Sequence, residues 1–180
     1  EARFERCIIA EPSVRRGASF ASTDLSMAHF ALCDLSFALF ERSDLYGVTF
    51  EECRMLGARF ARSRFGKALS RKVIRSSAAF NKCLLQLADL SEAALPGCSL
   101  TECDLREANL AGCDFTDADL SGSDFFQAIL GEAKLAGADL RRAEISGLDL
   151  MTLADFVGMK ISAGQQHIVL QALGIDVHPE

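Results

Sequence analysis

Large apolar residues recur at every fifth position through most of this chain. From Phe80 to Leu150 every fifth residue is Phe, Leu or Ile, and the residue two places earlier is Ala, Cys or Ser, with Leu148 as the only exception. The same spacing runs from Phe20 to Phe65. We term the large residue of each five the centre and number its neighbours from it, from −2 to +2.

A period of five fits neither of the common elements. A helix of 3.6 residues per turn would spread the centres around its surface, and a flat strand would alternate them between its two faces. A chain that turns a corner every five residues buries all of them. Four pentapeptides then close a square coil of about twenty residues, and coils stack at about 4.8 Å through main-chain hydrogen bonds. The pattern therefore predicts an all-β solenoid with the centre and the −2 residue inside.

Two interruptions predict loops that project from the coils. Residues 10–17 contain Pro, Gly and two Arg, and the step from Ile9 to Phe20 is eleven residues, one more than two periods. In residues 68–79, Ser70 and Arg75 occupy centre positions. An unpaired Arg inside a dry tube costs several kcal/mol, so a bulging basic loop is favoured. The spacing alone also allows three corners to be kept there.

The chain is predicted to end in a helix that covers the open end of the stack. Ser162 as N-cap and Gln165 at the third helical position form a capping box, and Gly174 is suited to end the helix. This divides the chain into a coil region, residues 1–161, and a helix with its tail, residues 162–180. The apolar surface exceeds what one coil end needs, which favours pairing of two chains. The residues predicted for that contact are Ile168, Val169, Leu173, Ile175 and Val177.

Composition supports one elongated domain. The chain has 180 residues, of which 49% are hydrophobic. No apolar run approaches the roughly 20 residues that span a bilayer, and no secretory leader precedes the repeats, so we expect a cytoplasmic protein with no membrane partner. With twenty residues per coil, Phe20, Phe40 and Phe60 are expected to stack on one face, and Phe80 with them if the count continues.

Metal, cofactor and catalytic sites are not expected. The seven cysteines stand at −2 positions, which predicts small apolar fillers, and there is no CxxC pair. His29 stands at an outward −1 position, His167 on the predicted terminal helix and His178 in the tail, so no nucleophile, base and orienting acid come together, and no Gly-rich phosphate loop occurs. The chain is therefore predicted not to be an enzyme and to carry no metal or cofactor.

The net charge of −6 is unevenly distributed. Residues 1–80 hold 9 acidic and 13 basic residues, net +4, and residues 81–150 hold 13 acidic and 5 basic residues, net −8. Seventy residues make about 17 Å of rod, over which duplex DNA carries about ten charges. An acidic rod of this density could occupy a basic groove built for DNA and would itself repel nucleic acid. The aspartates predicted to form this acidic DNA-mimic face, all at −1, are Asp89, Asp104, Asp114, Asp119, Asp124, Asp139 and Asp149.

Two other interpretations remain open at this point. Asp at −1 can serve only to support each turn by local hydrogen bonds and to keep a rod in solution. The basic half could instead bind DNA directly. The residues that this second interpretation would use are Arg54, Arg59, Arg62, Arg64, Lys67, Arg71, Lys72 and Arg75.

The centres and their small −2 partners resemble the pentapeptide-repeat family, whose pattern is A(D/N)LXX. The two loops, the motif RMLGARF at residues 54–60 and the ending ISxxQQxxxLxxLGIxV at residues 161–177 resemble the Qnr quinolone-resistance proteins within it. The resemblance implies a right-handed quadrilateral β-helix. It also implies a dimer joined at the C-terminal ends that mimics B-DNA, binds DNA gyrase and topoisomerase IV, and relieves quinolone poisoning.

By position, the resemblance places partner-binding residues in both loops. In the first loop they are Pro12, Val14, Arg15 and Arg16, and in the second they are Ser70, Arg71, Lys72, Val73, Ile74 and Arg75. The sequences of these loops depart from those of better-known members. A scaffold or adaptor rod with an unrelated protein partner is the alternative function.

Overall fold

The chain forms a stack of four-sided coils. The computed structural model describes residues 2–11, 16–68, 74–176 and 178. The strands are β1 (Arg3–Glu5), β2 (Ala10–Glu11), β3 (Arg16–Gly17), β4 (His29–Ala31), β5 (Val48–Glu51), β6 (Gly66–Ala68), β7 (Ile74–Ser76), β8 (Ala78–Asn81) and β9 (Ser99–Thr101). One parallel sheet has the order β1-β4-β5-β8-β9. The solenoid predicted from the period of five is confirmed.

Four columns of stacked centres define four faces. Face 1 is the parallel sheet, in which Phe4, Phe30, Phe50, Phe80 and Leu100 stand above one another. Single parallel bridges, most of them twenty residues apart, build the other three faces and continue face 1 beyond the sheet. In one coil the centres are Leu85 on face 2, Leu90 on face 3, Leu95 on face 4 and Leu100 on face 1 of the next coil.

Two phenylalanine ladders fill the first half of the core. Phe20, Phe40 and Phe60 stack on face 3 with ring centroids 5.1 and 4.9 Å apart, as expected. The placement of Phe80 on that ladder was wrong, because its ring stacks on Phe50 of face 1 at 4.9 Å. The segment inserted before Phe80 shifts it by two faces. The two ladders meet edge to face, which suits the ring quadrupoles.

Most of the described corners have a left-handed residue at +2. At many of them the N–H of the residue at +3 donates to the carbonyl of the centre, as Ala28 does to Leu25 at 3.0 Å. The +2 residue between them has φ near +60°, for example Leu87 at 58° and Gly97 at 67°. This is the geometry of a type II turn, which glycine adopts without strain. Most corners nevertheless carry another residue type at +2.

The first projecting loop is a short hairpin. Strands β2 and β3 pair antiparallel, with Ala10 opposite Gly17. Ile8 bridges Asp34, a step of twenty-six residues, so the hairpin adds six residues to the coil. The tip residues Pro12, Val14 and Arg15 lie outside the described residues.

The second loop is also a hairpin, but its predicted bounds of 68–79 were wrong. Strands β6 and β7 pair antiparallel from Gly66 opposite Ser76 to Ala68 opposite Ile74. Ala78 and Ala79 belong to β8, because they pair with Val48 and Thr49 of β5. The spacing hid the true bounds, since a ten-residue insertion leaves the period of five in phase. Ser70, Arg71, Lys72 and Val73 lie outside the described residues.

A short helical segment closes the C-terminal end of the stack. A 3-10 turn spans Leu150–Thr152, and the following bridges step by twenty-one residues, as from Lys134 to Asp155. A second 3-10 turn, Ala163–Gln165, leads into helix α1, Gln166–Ala172. The helices in the described ranges are too short to cross a membrane.

Gln165 is the residue that seals this end. Its side chain is buried, and its Nε2 donates to the carbonyl oxygens of Leu140 at 2.9 Å and Ala143 at 2.7 Å. Its Oε1 accepts the N–H of Ser162 at 2.5 Å. The Ala143 carbonyl takes its hydrogen bond from Gln165, whereas the Leu140 carbonyl also accepts the N–H of Ala143 at 3.0 Å. The predicted pairing of Ser162 with Gln165 is present, and it also links the cap to the coil.

Substitution of Gly97 tests the strain at the corners. Gly97 has φ +67° with open space around an added Cβ, whereas Gly131 has equal space and no left-handed φ. We expect Gly97→Ala to lower the free energy of unfolding by about 1 to 2 kcal/mol, because an L-residue is strained there. The matched control Gly131→Ala should leave it unchanged or slightly higher. Equal urea midpoints for the two variants would contradict this account.

Substitution of Gln165 tests the cap. Gln165→Ala removes the donor of the Ala143 carbonyl and one of the two donors of the Leu140 carbonyl, which should cost about 1 to 3 kcal/mol of folding free energy. Gln166→Ala is the control, since Gln166 is the neighbouring glutamine with an exposed side chain. Thermal unfolding should show a lower midpoint for Gln165→Ala alone, and the cap assignment fails if both variants melt together.

Candidate functional site

The seven predicted aspartates all support turns. Each carboxylate accepts the N–H of the residue two places later, at distances from 2.9 Å for Asp124 to 3.2 Å for Asp104. The other five make the same bond: Asp89, Asp114, Asp119, Asp139 and Asp149. Each of these aspartates therefore stabilises its own turn, and any further role depends on where its carboxylate lies on the rod.

The seven aspartates do not form a single face, so that part of the prediction was wrong. Parallel bridges place Asp119 and Asp139 on face 1 and Asp104 and Asp124 on face 2. Asp89 lies on face 3 and Asp114 on face 4. Asp149 continues face 3 by the twenty-residue register. The pattern fixes how far an Asp stands from its centre, but the face depends on the position within the coil.

Basic residues neutralise part of the acidity on faces 4 and 1. Lys134 Nζ lies 3.7 Å from the carboxylate of Asp114, and Arg141 Nη2 lies 2.5 Å from that of Asp139. The hydrogen bonds from Arg141 lower the pKa of Asp139 to about 2, against the opposing effect of partial burial. These two carboxylates are already occupied by cations of the same chain.

Face 2 carries a ladder of carboxylates along the rod. Asp104, Asp124 and Glu144 stand above one another in consecutive coils, joined by parallel backbone β-bridges. Arg106 donates to Asp104 at 2.6 Å and approaches Asp124 at 3.6 Å, and Gln86 Nε2 donates to Asp104 at 2.5 Å. Burial opposes ionisation of Asp104, but the bonds from Arg106 and Gln86 outweigh it and lower its pKa. Asp104 is therefore ionised at neutral pH and held in place, and like Asp114 and Asp139 it is paired with a cation of the same chain.

Faces 2 and 3 are the more acidic side of the rod. Within residues 81–150, these faces and the corner between them hold six acidic residues and one basic residue, net −5. Faces 4 and 1 with their corner hold four acidic residues and one basic residue, net −3. The ion pair of Arg141 with Asp139 reduces the negative charge of this side further. Glu107 and Glu144 on the acidic side were missed in the sequence because only Asp at −1 was considered. Glu144 stands at the same −1 position, which was the available signal.

The basic residues of the first half do not form one stripe. Arg54, Arg59 and Arg64 lie on faces 2, 3 and 4 respectively. Arg59 pairs with Glu41 at 3.2 Å, and Arg64 pairs with Asp44 at 3.2 Å. Lys67 Nζ lies 4.6 Å from the centre of the Tyr46 ring. This spread gives little support to a continuous DNA-binding surface.

The repeat pattern of this chain matches a known protein family. A family model described as pentapeptide repeats matches residues 16–51, 28–66, 83–122 and 118–152. This chain belongs to the pentapeptide-repeat family. No curated protein matches it in a sequence search.

Several solved structures are similar to this chain. This pentapeptide-repeat chain is similar to full-length QnrB1, a plasmid-mediated fluoroquinolone resistance protein, with 29% identity and a TM-score of 0.84 over 96% of this chain and 81% of that one. A trypsin-treated variant of QnrB1 gives 29% identity and a TM-score of 0.81 over 98% and 80%. HetL from the cyanobacterium Nostoc is 18% identical, with a TM-score of 0.41 over 88% and 86%. The resemblance to Qnr proteins found in the sequence is confirmed by the QnrB1 likeness.

The hairpins hold few of the predicted partner-binding residues in the described ranges. Arg16 is exposed in β3, directly after the undescribed tip. The backbones of Ile74 and Arg75 form β7, opposite Ala68 and Lys67. The partner-binding role of both hairpins stays a prediction.

The predicted dimer residues are divided between two environments. Ile168, Val169 and Leu173 pack partly buried against the core of their own pentapeptide-repeat stack. Ile175 is 48% exposed, and Val177 lies outside the described residues. The first three therefore serve the cap, and pairing of two chains through this end remains a prediction.

The cysteines act as core fillers. Burial raises the pKa of the Cys98 thiol to about 11 and that of Cys113 to about 12, so both are protonated at neutral pH. The Cys113 thiol donates to the carbonyl of Leu90, in the previous coil, at 2.9 Å. Among the residues described, no group of three or more His, Cys, Asp or Glu is placed to hold a metal ion.

Removal of Arg141 tests the charge assignment on face 1. Because the pKa of Asp139 is depressed to about 2, its contribution to stability is present above its usual pKa near 4 and is lost as the pH falls towards 2. Arg141→Ala should raise the pKa of Asp139 towards 3.8, as measured by NMR titration of the carboxyl carbon. Arg142→Ala is the control and should leave it low. A pKa that stays near 2 without Arg141 would contradict the assigned cause.

Proposed function

We propose that this pentapeptide-repeat protein binds DNA gyrase and topoisomerase IV at surfaces that otherwise hold DNA, and so protects these enzymes from quinolones. The observation that carries the proposal is the likeness to the fluoroquinolone resistance protein QnrB1 over 96% of the chain. The acidic side formed by faces 2 and 3 supplies a physical basis, because a DNA-binding groove is lined with cations.

The rod suits such a groove in shape and charge. Its coils repeat at about 4.8 Å, so the ladder of Asp104, Asp124 and Glu144 places one carboxylate on each successive coil. The turns fix these carboxylates in advance, so binding costs little side-chain entropy. The same charge repels duplex DNA, which favours a protein partner over nucleic acid.

Binding rather than catalysis is the activity that we propose. Within the described residues, each buried side-chain nitrogen or oxygen has a hydrogen-bond partner. His29 Nδ1 lies 2.6 Å from Thr49 Oγ1 on the outer surface of face 1, remote from the cap that carries His167. The two hairpins are proposed to add contacts to the enzyme, and the C-terminal end to join two chains, with Ile175 in the contact.

Protection of purified gyrase is the direct test. The protein should restore ciprofloxacin-inhibited supercoiling in a concentration-dependent manner, because it competes for the surface to which DNA and drug bind. Supercoiling without drug provides the baseline. If supercoiling does not recover at any protein concentration, the proposed function is wrong, and capture of an unrelated protein would then favour the scaffold alternative.

A register-preserving deletion separates the second hairpin from the fold. Removing residues 67–76 joins Gly66 to Ser77 and places Phe80 five residues after Phe65, as a regular corner requires. We expect this variant to keep the thermal midpoint and lose protection. A deletion variant that protects as well as the wild type would remove the hairpin from the proposed contact.

A further inference from the structure

The exposed apolar residues of the acidic half all lie on one side. Within residues 78–150, all of which the structure describes, four large hydrophobic side chains are exposed. They are Leu84, Leu87, Phe126 and Ile129, with exposed fractions of 44%, 56%, 44% and 57%. Leu84 lies on face 2 and Ile129 on face 3, while Leu87 and Phe126 lie on the corner between these faces. Faces 4 and 1 carry none in this range.

Carboxylates separate the four apolar side chains into two pairs. Leu84 and Leu87 belong to one coil, and Phe126 and Ile129 to a coil two levels further, about 10 Å along the rod. The coil between them carries Asp104 and Glu107. Arg106 and Gln86 hold the Asp104 carboxylate between the pairs. We term this surface the acid–apolar edge: Leu84, Leu87, Asp104, Glu107, Asp124, Phe126 and Ile129.

Local structure does not account for three of these four residues. Leu84 and Ile129 stand at −1, where Asp in the stacked coils accepts a turn hydrogen bond that Leu and Ile cannot accept. Leu87 holds φ of 58°, as other non-glycine residues at +2 do, which costs an L-residue free energy that glycine would not lose. Leu84, Leu87 and Ile129 therefore each stand where another residue type would favour the fold, whereas Phe126 is distinguished by its exposure alone. Exposed apolar groups kept at such positions point to an interaction surface.

We propose that the acid–apolar edge is the surface that contacts the protein partner, and that the partner groove has apolar side chains set among its cations. This rests on the proposed function and names the side of the rod that is used. Carboxylates steer the rod into a cationic groove, while buried apolar anchors provide most of the binding energy. Duplex DNA presents phosphates to such a groove and has nothing equivalent to these anchors, so the anchors distinguish the protein from DNA there.

Adding charge at the anchors distinguishes this proposal from pure charge mimicry. The double variant Leu84→Asp with Ile129→Asp restores two turn hydrogen bonds and makes the rod more acidic. If charge alone drives binding, affinity for a cationic groove should rise. If the anchors matter, we expect the Kd for purified gyrase to increase about tenfold or more, with an equal or higher thermal midpoint.

Ala94→Asp is the charge control. Ala94 is exposed at −1 on face 4, so the change adds one carboxylate of the same kind away from the edge, without a turn bond because Pro96 two places later has no N–H. It should leave the Kd within about twofold of the wild type, as expected for a charge outside the contact. Isothermal titration calorimetry at two salt concentrations provides the measurement.

The outcomes separate the inference from the function on which it rests. If wild-type protein does not bind gyrase, both the proposed function and the inference about the acid–apolar edge are wrong. If it binds and the double variant binds equally or more tightly, the acid–apolar edge is not the contact, although the proposed function stands. If Ala94→Asp weakens binding as strongly as the double variant, faces 4 and 1 are engaged and the edge is likewise rejected.

Discussion

The stacking of one coil on the next is the interaction on which the molecule depends. Main-chain N–H groups donate to carbonyls of the neighbouring coil, as Leu45 does to Arg64 nineteen residues later at 2.8 Å, and each such bond requires the corners of the two coils to coincide. A coil of fixed length brings every centre above its predecessor, so that Phe, Leu and small −2 side chains fill one continuous core. A long insertion must therefore leave the wall, as both hairpins do, whereas the single extra residue near the C-terminal end is accommodated at the 3-10 turn Leu150–Thr152.

The same geometry links stability to surface chemistry at the −1 position. A carboxylate there accepts a turn hydrogen bond and at the same time stands outward on its face. Acidity along the rod therefore costs the fold little, since each aspartate also supports its corner. Where the chain places Leu84 or Ile129 at −1 instead, the turn bond is lost and apolar surface is exposed. Such departures from the repeat pattern indicate positions that serve a function other than folding.

The last coil of the stack has main-chain groups with no further coil to pair with. At the C-terminal end, one buried glutamine supplies donors to Leu140 and Ala143 and accepts from Ser162, while Ile168, Val169 and Leu173 cover the apolar end of the core. A polar side chain is required there because a carbonyl covered by apolar groups alone would lose its hydrogen bond to water. The cap therefore accounts for most of the apolar helix surface within one chain.

The sequence by itself determined the coil, the inward residues, both interruptions and the terminal cap, because a period of five leaves one way to bury every centre. It could not assign residues to faces. That assignment depends on how many residues each hairpin removes from the coil, and the ten-residue second hairpin leaves the period unchanged while moving Phe80 from face 3 to face 1. Only the tertiary structure therefore divided the seven aspartates among four faces and gathered Leu84, Leu87, Phe126 and Ile129 on one side.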